Sequence, residues 1–155
     1  MTSSTIIREF VEKDRSQVIG LWEQCGLTRP WNDPDKDIDR KLKSSPEQFL
    51  MMEHLDDRQT QIVGTAMYGY DGHRGSVYYL GVHPDWQRRG AGRELMAEVE
   101  NRLLQLGCAK INVMVRSTNA DVLDFYRRLG FEANAVEVLG KRLIADQPDL
   151  SGYGG

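Results

Sequence analysis

Residues 77–95 read VYYLGVHPDWQRRGAGREL, and the fold turns on how they are read. Residues 77–82 form an apolar, β-branched and aromatic run suited to a buried strand, and His83-Pro84-Asp85 stops its ladder because proline has no N–H to donate. The turn Gln87-Arg88-Arg89-Gly90-Ala91-Gly92 then leads into a helical spacing of Leu95, Met96, Val99 and Leu103. A strand, a basic glycine turn and a helix in that order place the free N–H groups of a helix start just beyond the strand.

Such a start carries unpaired donors and roughly half a positive charge, so it favours an anion. Glycine at positions 90 and 92 removes a Cβ from the path of a ligand, and Arg88, Arg89 and Arg93 add full charges. An isolated glycine-arginine turn is more often merely solvated. The strand before it and the helix after it favour a phosphate or pyrophosphate ligand here.

Upstream, residues 6–10 read as a short strand, and Glu12-Lys13-Asp14 opens a helix whose inner face is Val18, Leu21, Trp22 and Cys25 and which ends at Gly26. Residues 27–34 are a turn-rich loop carrying Trp31. A polar helix follows over 35–43, anchored only by Ile38 and Leu42, its alternating charges a solvated face. Residues 49–55, 61–70 and 76–82 make three antiparallel strands in succession, joined at Asp56-Asp57-Arg58 and at Asp71-Gly72-His73-Arg74-Gly75.

Downstream, the helix is expected over 91–106 with Gly107 as its stop, and residues 110–115 as a strand parallel to 77–82 through a right-handed crossover. A second packed helix spans 119–129, with Val122, Phe125, Tyr126 and Leu129 on one face, Asn119 as N-cap and Gly130 as C-terminal cap. Residues 131–133 and 135–144 are expected to add closing strand. The organisation read is one domain over 1–145 and a flexible tail over 146–155.

The composition fits this reading. The chain has 155 residues, 40% hydrophobic and 28% charged, so one domain can bury a real core. The formal charge of −3, with no long basic arm or one-sided basic helix beyond the Arg88–Arg93 cluster, argues against nucleic-acid binding. No apolar stretch could span a bilayer and residues 1–5 lack the core of a signal peptide, so a cytoplasmic location without membrane attachment is expected. Cys25 and Cys108 lack metal spacing and read as reduced thiols, and no metal is expected.

The run Val82-His83-Pro84, then Gln87-x-x-Gly90-x-Gly92, then Asn119 and Phe125-Tyr126-x-x-Leu129-Gly130-Phe131 resembles the GNAT family of acyl-CoA-dependent N-acetyltransferases. The likeness covers most of the chain. Leu21-Trp22, residues 29–34 and residues 70–75 further resemble its bacterial YpeA-type branch. The resemblance implies an α+β fold, a mixed and mostly antiparallel sheet splayed between two parallel strands and flanked by about four helices. It also implies acetyl-CoA as the donor, transfer to a primary amine by direct attack on the thioester, and a monomer or homodimer acting on a small-molecule or peptide amine.

By the same resemblance, Gln87, Arg88, Arg89, Gly90, Ala91, Gly92 and Arg93 hold the pyrophosphate, and Leu80, Gly81 and Val82 pair with the pantetheine arm. Asn119 contacts that arm, and Tyr126 faces the thiol as the catalytic acid. The loop residues Trp31, Asn32 and Asp33 border the acceptor pocket, with Asp71 and His73 opposite. On spacing alone Tyr126 would be core, since it lies on an apolar helix face beside Phe125.

A lysine-like amine, with a pKa of about 10.4, must lose a proton before it attacks. Neither residues 77–82 nor 110–115 contains an acid, and Met114 stands where certain protein N-terminal acetylases carry a glutamate. His73 and His83 read as turn residues, so no base is assigned and transfer to protein N-termini is disfavoured. A Rossmann reading fails because Leu95 occupies the third glycine position and an antiparallel meander precedes the turn. The alternative to catalysis is a non-catalytic acyl-CoA-binding module. Other acyl donors stay open.

Overall fold

The computed structural model describes residues 4–147. One five-stranded sheet runs in sequence order: β1 (Ser4–Glu9), β2 (Phe49–Leu55), β3 (Thr60–Tyr70), β4 (Gly75–Val82) and β5 (Ile111–Val113). The first four strands are antiparallel neighbours, and β4 and β5 are parallel. Four helices flank them: α1 (Arg15–Gln24), α2 (Pro34–Ser44), α3 (Ala91–Gln105), which joins β4 to β5, and α4 (Ala120–Arg128).

Strand alternation divides the core into two layers. On one face Leu50, Met52, Val63, Ala66, Tyr68 and Val77 meet Leu95, Met96, Val99 and Leu103 of α3 and Tyr126 of α4. On the other, Met51, Ile62 and Met67 meet Val18, Leu21 and Trp22 of α1 and Ile38 of α2. The expected helices and the three-strand meander are therefore present, with ends shifted by a residue or two. Gly26 (φ +69°), Gly107 (φ +86°) and Gly130 (φ +94°) stop α1, α3 and α4 in the left-handed conformation that glycine tolerates.

A bulge in β4 decides what the sheet can do. Met67 pairs with Tyr78 and Thr65 with Gly81, so one residue of β3 faces two of β4, Tyr79 and Leu80. Tyr79 takes φ +52°, unusual for a residue with a Cβ. Pairing with β5 stops just before it, at Val77↔Val113. Beyond that pair β4 and the chain after β5 are unpaired with each other. The strand expected over 110–115 is accordingly cut to three residues.

Residues 131–144 correct the expectation of closing strands: among the described residues none of them is in a strand. The segment is held by side chains instead. Lys110 donates to Asn134 Oδ1 (2.9 Å) and Asn134 donates to Asn112 (3.0 Å), which fixes its start against β5. Asp146 fixes its end, so the expected loose tail does not begin there. This carboxylate is buried, accepts from the Asp33 N–H (2.9 Å) and pairs with Arg40, while Lys36 Nζ donates to its carbonyl (3.1 Å). Residues 148–155 of the expected tail lie outside the described residues.

Candidate functional site

The basic turn lies past the free end of β4. Arg88 (φ +64°) and Gly90 (φ +86°) are both left-handed, and α3 starts at Ala91 with no side chain capping its amides. The first intrahelical bond is Glu94 N–H to Gly90 carbonyl (3.0 Å), which leaves the amides of Ala91, Gly92 and Arg93 without intrahelical acceptors. Arg88, Arg89 and Arg93 are exposed around them, and Arg89 lies over the Trp86 ring at 5.1 Å. Trp86 in turn packs on His54 of β2 (4.6 Å between centroids).

The two glycines have different physical reasons. Gly90 needs its positive φ, and a Cβ there would meet nothing within 4 Å. At Gly92 a Cβ would come 3.2 Å from the Phe125 ring, so this glycine admits α4 against α3.

At the end of β4, Leu80 and Val82 face α3 and α4, while a Cβ on Gly81 would come 3.0 Å from Leu27. The Val82 carbonyl already accepts from the Cys25 thiol (3.2 Å) and from Gln87 Nε2 (3.1 Å). Gln87 is thus turned toward the strand. Burial raises the Cys25 pKa, which keeps it a thiol that donates to this carbonyl.

Tyr126 is 7% exposed, between the edges of Phe125 (5.1 Å) and Phe131 (5.2 Å). Its hydroxyl makes no hydrogen bond to any described residue, and burial pushes its pKa up to about 12. It lines a cavity of about 650 Å³ with Ile111, Val113, Val115 and Leu123; residues 87–93 do not line that cavity. Asn119 caps α4, accepting from the Val122 N–H (3.3 Å), so its oxygen is engaged, while its amide nitrogen meets no acceptor among the described residues.

The loop between α1 and α2 spans the splay on the opposite face. Cys25 and Leu27 touch β4, and Trp31 receives the Arg116 guanidinium on its ring at 5.6 Å, just past β5. Asn32 accepts from Arg142 (3.2 Å). Asp33 is the N-cap of α2, accepting from the Asp35 (2.9 Å) and Lys36 (3.4 Å) amides, which makes it a structural turn former.

Asp71 and His73 do not join this group. They form the β3–β4 turn, where Asp71 Oδ1 accepts from the His73 (2.8 Å) and Arg74 (2.7 Å) amides, at the start of β4. Gly81 is six residues further on, about 20 Å along the strand. His83 accepts from the Asp85 N–H (3.1 Å), also a turn role.

Several residues escape sequence reading altogether. Tyr79 stacks on Trp22 and donates to Asp37 (2.6 Å), with burial first and this acceptor second raising its pKa. Trp22 Nε1 donates to Thr65 (3.0 Å), whose hydroxyl donates to the Tyr79 carbonyl (2.8 Å). Asp37, placed by its pattern on a solvated helix face, is an anchor of the bulge. Arg116 and Arg142 carry no local motif, since 110 positions separate Arg142 from its partner Asn32.

The model of the "Acetyltransferase (GNAT) family" matches residues 10–131. An acetyltransferase of Yersinia enterocolitica is 51% identical over 141 residues, covering 91% of this chain and 97% of that one. In structure the chain is similar to Ard1 from Thermoplasma volcanium, with a TM-score of 0.72 at 23% identity over 84% of each chain. It is also similar to the PaiA N-acetyltransferase of Thermoplasma acidophilum in complex with coenzyme A. That match has a TM-score of 0.71 at 17% identity, over 86% of this chain and 93% of that one. The two structural likenesses concern the fold.

Proposed function

The chain belongs to the GNAT family of acetyltransferases, and from that premise we propose that it moves an acetyl group from acetyl-CoA to a primary amine. The observation that carries the donor assignment is the first turn of α3. Its amides have no side-chain cap and stand among the exposed Arg88, Arg89 and Arg93. Donors and positive charge without a protein partner match a pyrophosphate.

Bound there, acetyl-CoA would supply a thioester. The neutral amine adds to its carbonyl, and the acyl C–S bond breaks as the C–N bond is completed. The proton leaving nitrogen passes to water while the departing thiolate regains one. The amides of residues 91–93 and the three arginines hold the phosphates. Past Val77↔Val113, β4, which bulges at Tyr79 and Leu80, no longer pairs with the chain after β5, so an extended arm has backbone on both sides. Tyr126 holds a proton on a hydroxyl with no acceptor among the described residues and offers it to the departing sulfur. At a pKa of about 12 it acts first as a hydrogen-bond donor, which suffices to steady developing charge on sulfur. The α1–α2 loop with Trp31 covers the other face, from which an amine reaches the acyl carbon.

The test is release of free thiol from acetyl-CoA in the presence of a panel of small amines, polyamines, amino acids and peptides. Amine-dependent release with a matching mass increase on one acceptor supports the proposal. Binding of acetyl-CoA without release by any amine overturns it.

A further inference from the structure

A second set of cations, apart from the basic turn, meets the α1–α2 loop. Arg8, Arg15, Arg40, Arg102 and Arg127 are each paired with a carboxylate. Arg29, Arg74, Arg116, Arg128 and Arg142 are among the described arginines without such a pairing, and of these Arg116 and Arg142 reach the α1–α2 loop from distant segments. Arg116 is exposed and rests on the Trp31 ring at 5.6 Å. Arg142 is half-buried and reaches Asn32 Oδ1 (3.2 Å) and the Ile144 carbonyl (3.4 Å). Two guanidinium groups thus converge on consecutive residues of the loop that spans the splay.

The unmet hydrogen-bonding groups at this place are all donors. Trp31 Nε1 and Arg142 Nε are buried without a partner, two of the three such side-chain atoms among the described residues. The third, His54 Nδ1, lies elsewhere, on β2. Buried donors left unmet are costly, and a cluster of them with two unpaired cations lacks an acceptor and a negative charge. The nearest acids do not supply it. Asp33 turns Oδ1 to the α2 amides and pairs with neither guanidinium, and Asp146 pairs with Arg40 and accepts from the Asp33 N–H.

We propose that Trp31, Asn32, Arg116 and Arg142 form a subsite for an anionic oxyacid group on the acceptor amine, a carboxylate in the first instance. The acceptor is then an amino acid or a similar amine acid rather than a simple polyamine. This rests on the amine-acetylation reading above. A planar guanidinium pairs naturally with a carboxylate, and a charge-assisted bond of this kind corresponds to roughly 10- to 100-fold in affinity.

The test uses matched acceptors that differ by the acid group: lysine against cadaverine, ornithine against putrescine, β-alanine against ethylamine, with phosphoethanolamine as the phosphate arm. The acid member of each pair is expected to have a kcat/KM higher by roughly 10- to 100-fold. In Arg116→Gln, and separately in Arg142→Lys, the ratio should fall toward one through KM. Preference for phosphoethanolamine over β-alanine makes the anion a phosphate and keeps the subsite. A wild-type ratio near one, or a ratio that neither variant moves, overturns it, and water then satisfies the donors.

A binding readout separates this proposal from the one beneath it. N-acetylglycine and N-methylacetamide are titrated calorimetrically onto the protein in excess CoA. Tighter binding of the acid, lost in Arg116→Gln, upholds the subsite even if no amine is acetylated. Equal binding of the two overturns it whatever the transfer assay gives.

Discussion

The ring of Tyr79 lies 3.8 Å from that of Trp22, the two planes within 11° of parallel, while the backbone of Tyr79 holds φ +52°. A left-handed tyrosine costs on the order of 1–2 kcal/mol, so something must hold it. The stack does, together with the chain from Trp22 through Thr65 to the Tyr79 carbonyl. Thr65→Val keeps the shape and removes both bonds, leaving the indole N–H buried and unmet. The expected loss is about 2 kcal/mol by urea unfolding, with weaker acetyl-CoA binding by calorimetry as the bulge relaxes.

Gly90→Glu is expected to weaken acetyl-CoA binding by at least about tenfold, because it puts bulk and negative charge at the uncapped amides and adds left-handed strain. Gly72→Glu, with a comparable φ of +90° in the β3–β4 turn, is the control for strain alone. Equal affinities in the two variants would remove the anion from the α3 turn.

Tyr126→Phe is expected to lower turnover roughly 10²-fold with acetyl-CoA affinity retained. An unchanged rate denies the hydroxyl a part in catalysis. The raised pKa also fixes a pH signature. A folded value of about 12 against a free value of about 10 means that the protonated phenol's contribution is complete below the free value and lost as pH rises through the folded one. Urea unfolding should therefore show the wild type, and not Tyr126→Phe, losing that contribution in this alkaline window.

Asp146→Ala leaves the Asp33 N–H without its acceptor and takes from Arg40 one of its two carboxylate partners, Asp37 remaining. Arg40 is nearly half exposed, so the expected cost is modest, about 1 kcal/mol. The clearer readout is faster amide exchange in residues 142–147. Arg40 first, with the Asp33 amide, depresses the Asp146 pKa against the opposing effect of burial. The anchor is thus fully present above the free carboxylate value of about 3.9 and is lost as pH falls through the lower folded one. In the wild type, acid should reproduce the exchange pattern of the variant. A pattern that pH does not move assigns the anchor to other groups.

Where periodicity and caps were strong, the sequence told the fold: the meander, the four helices and the glycine stops follow from local pattern. The β4 bulge did not, because an apolar run such as 77–82 reads the same with or without an extra residue. Closing strands were expected over 131–133 and 135–144, yet side-chain anchors at Asn134 and Asp146 hold that segment. In the site, the turn was legible as contiguous residues. Asp33, expected beside the acceptor pocket, caps α2 through Oδ1, a use that its place before Pro34 already allowed. Asp37 and Tyr79, or Asn32 and Arg142, meet only through tertiary folding and leave no spacing to read.

Gly92 admits the Phe125 ring, and the next residue after Phe125 is Tyr126. One van der Waals contact, with no side-chain carbon on the α3 side, therefore gauges the separation between the amides of α3 and the phenol of α4. A methyl group added at position 92 would act as a shim, lengthening that separation and misaligning Tyr126 without touching it.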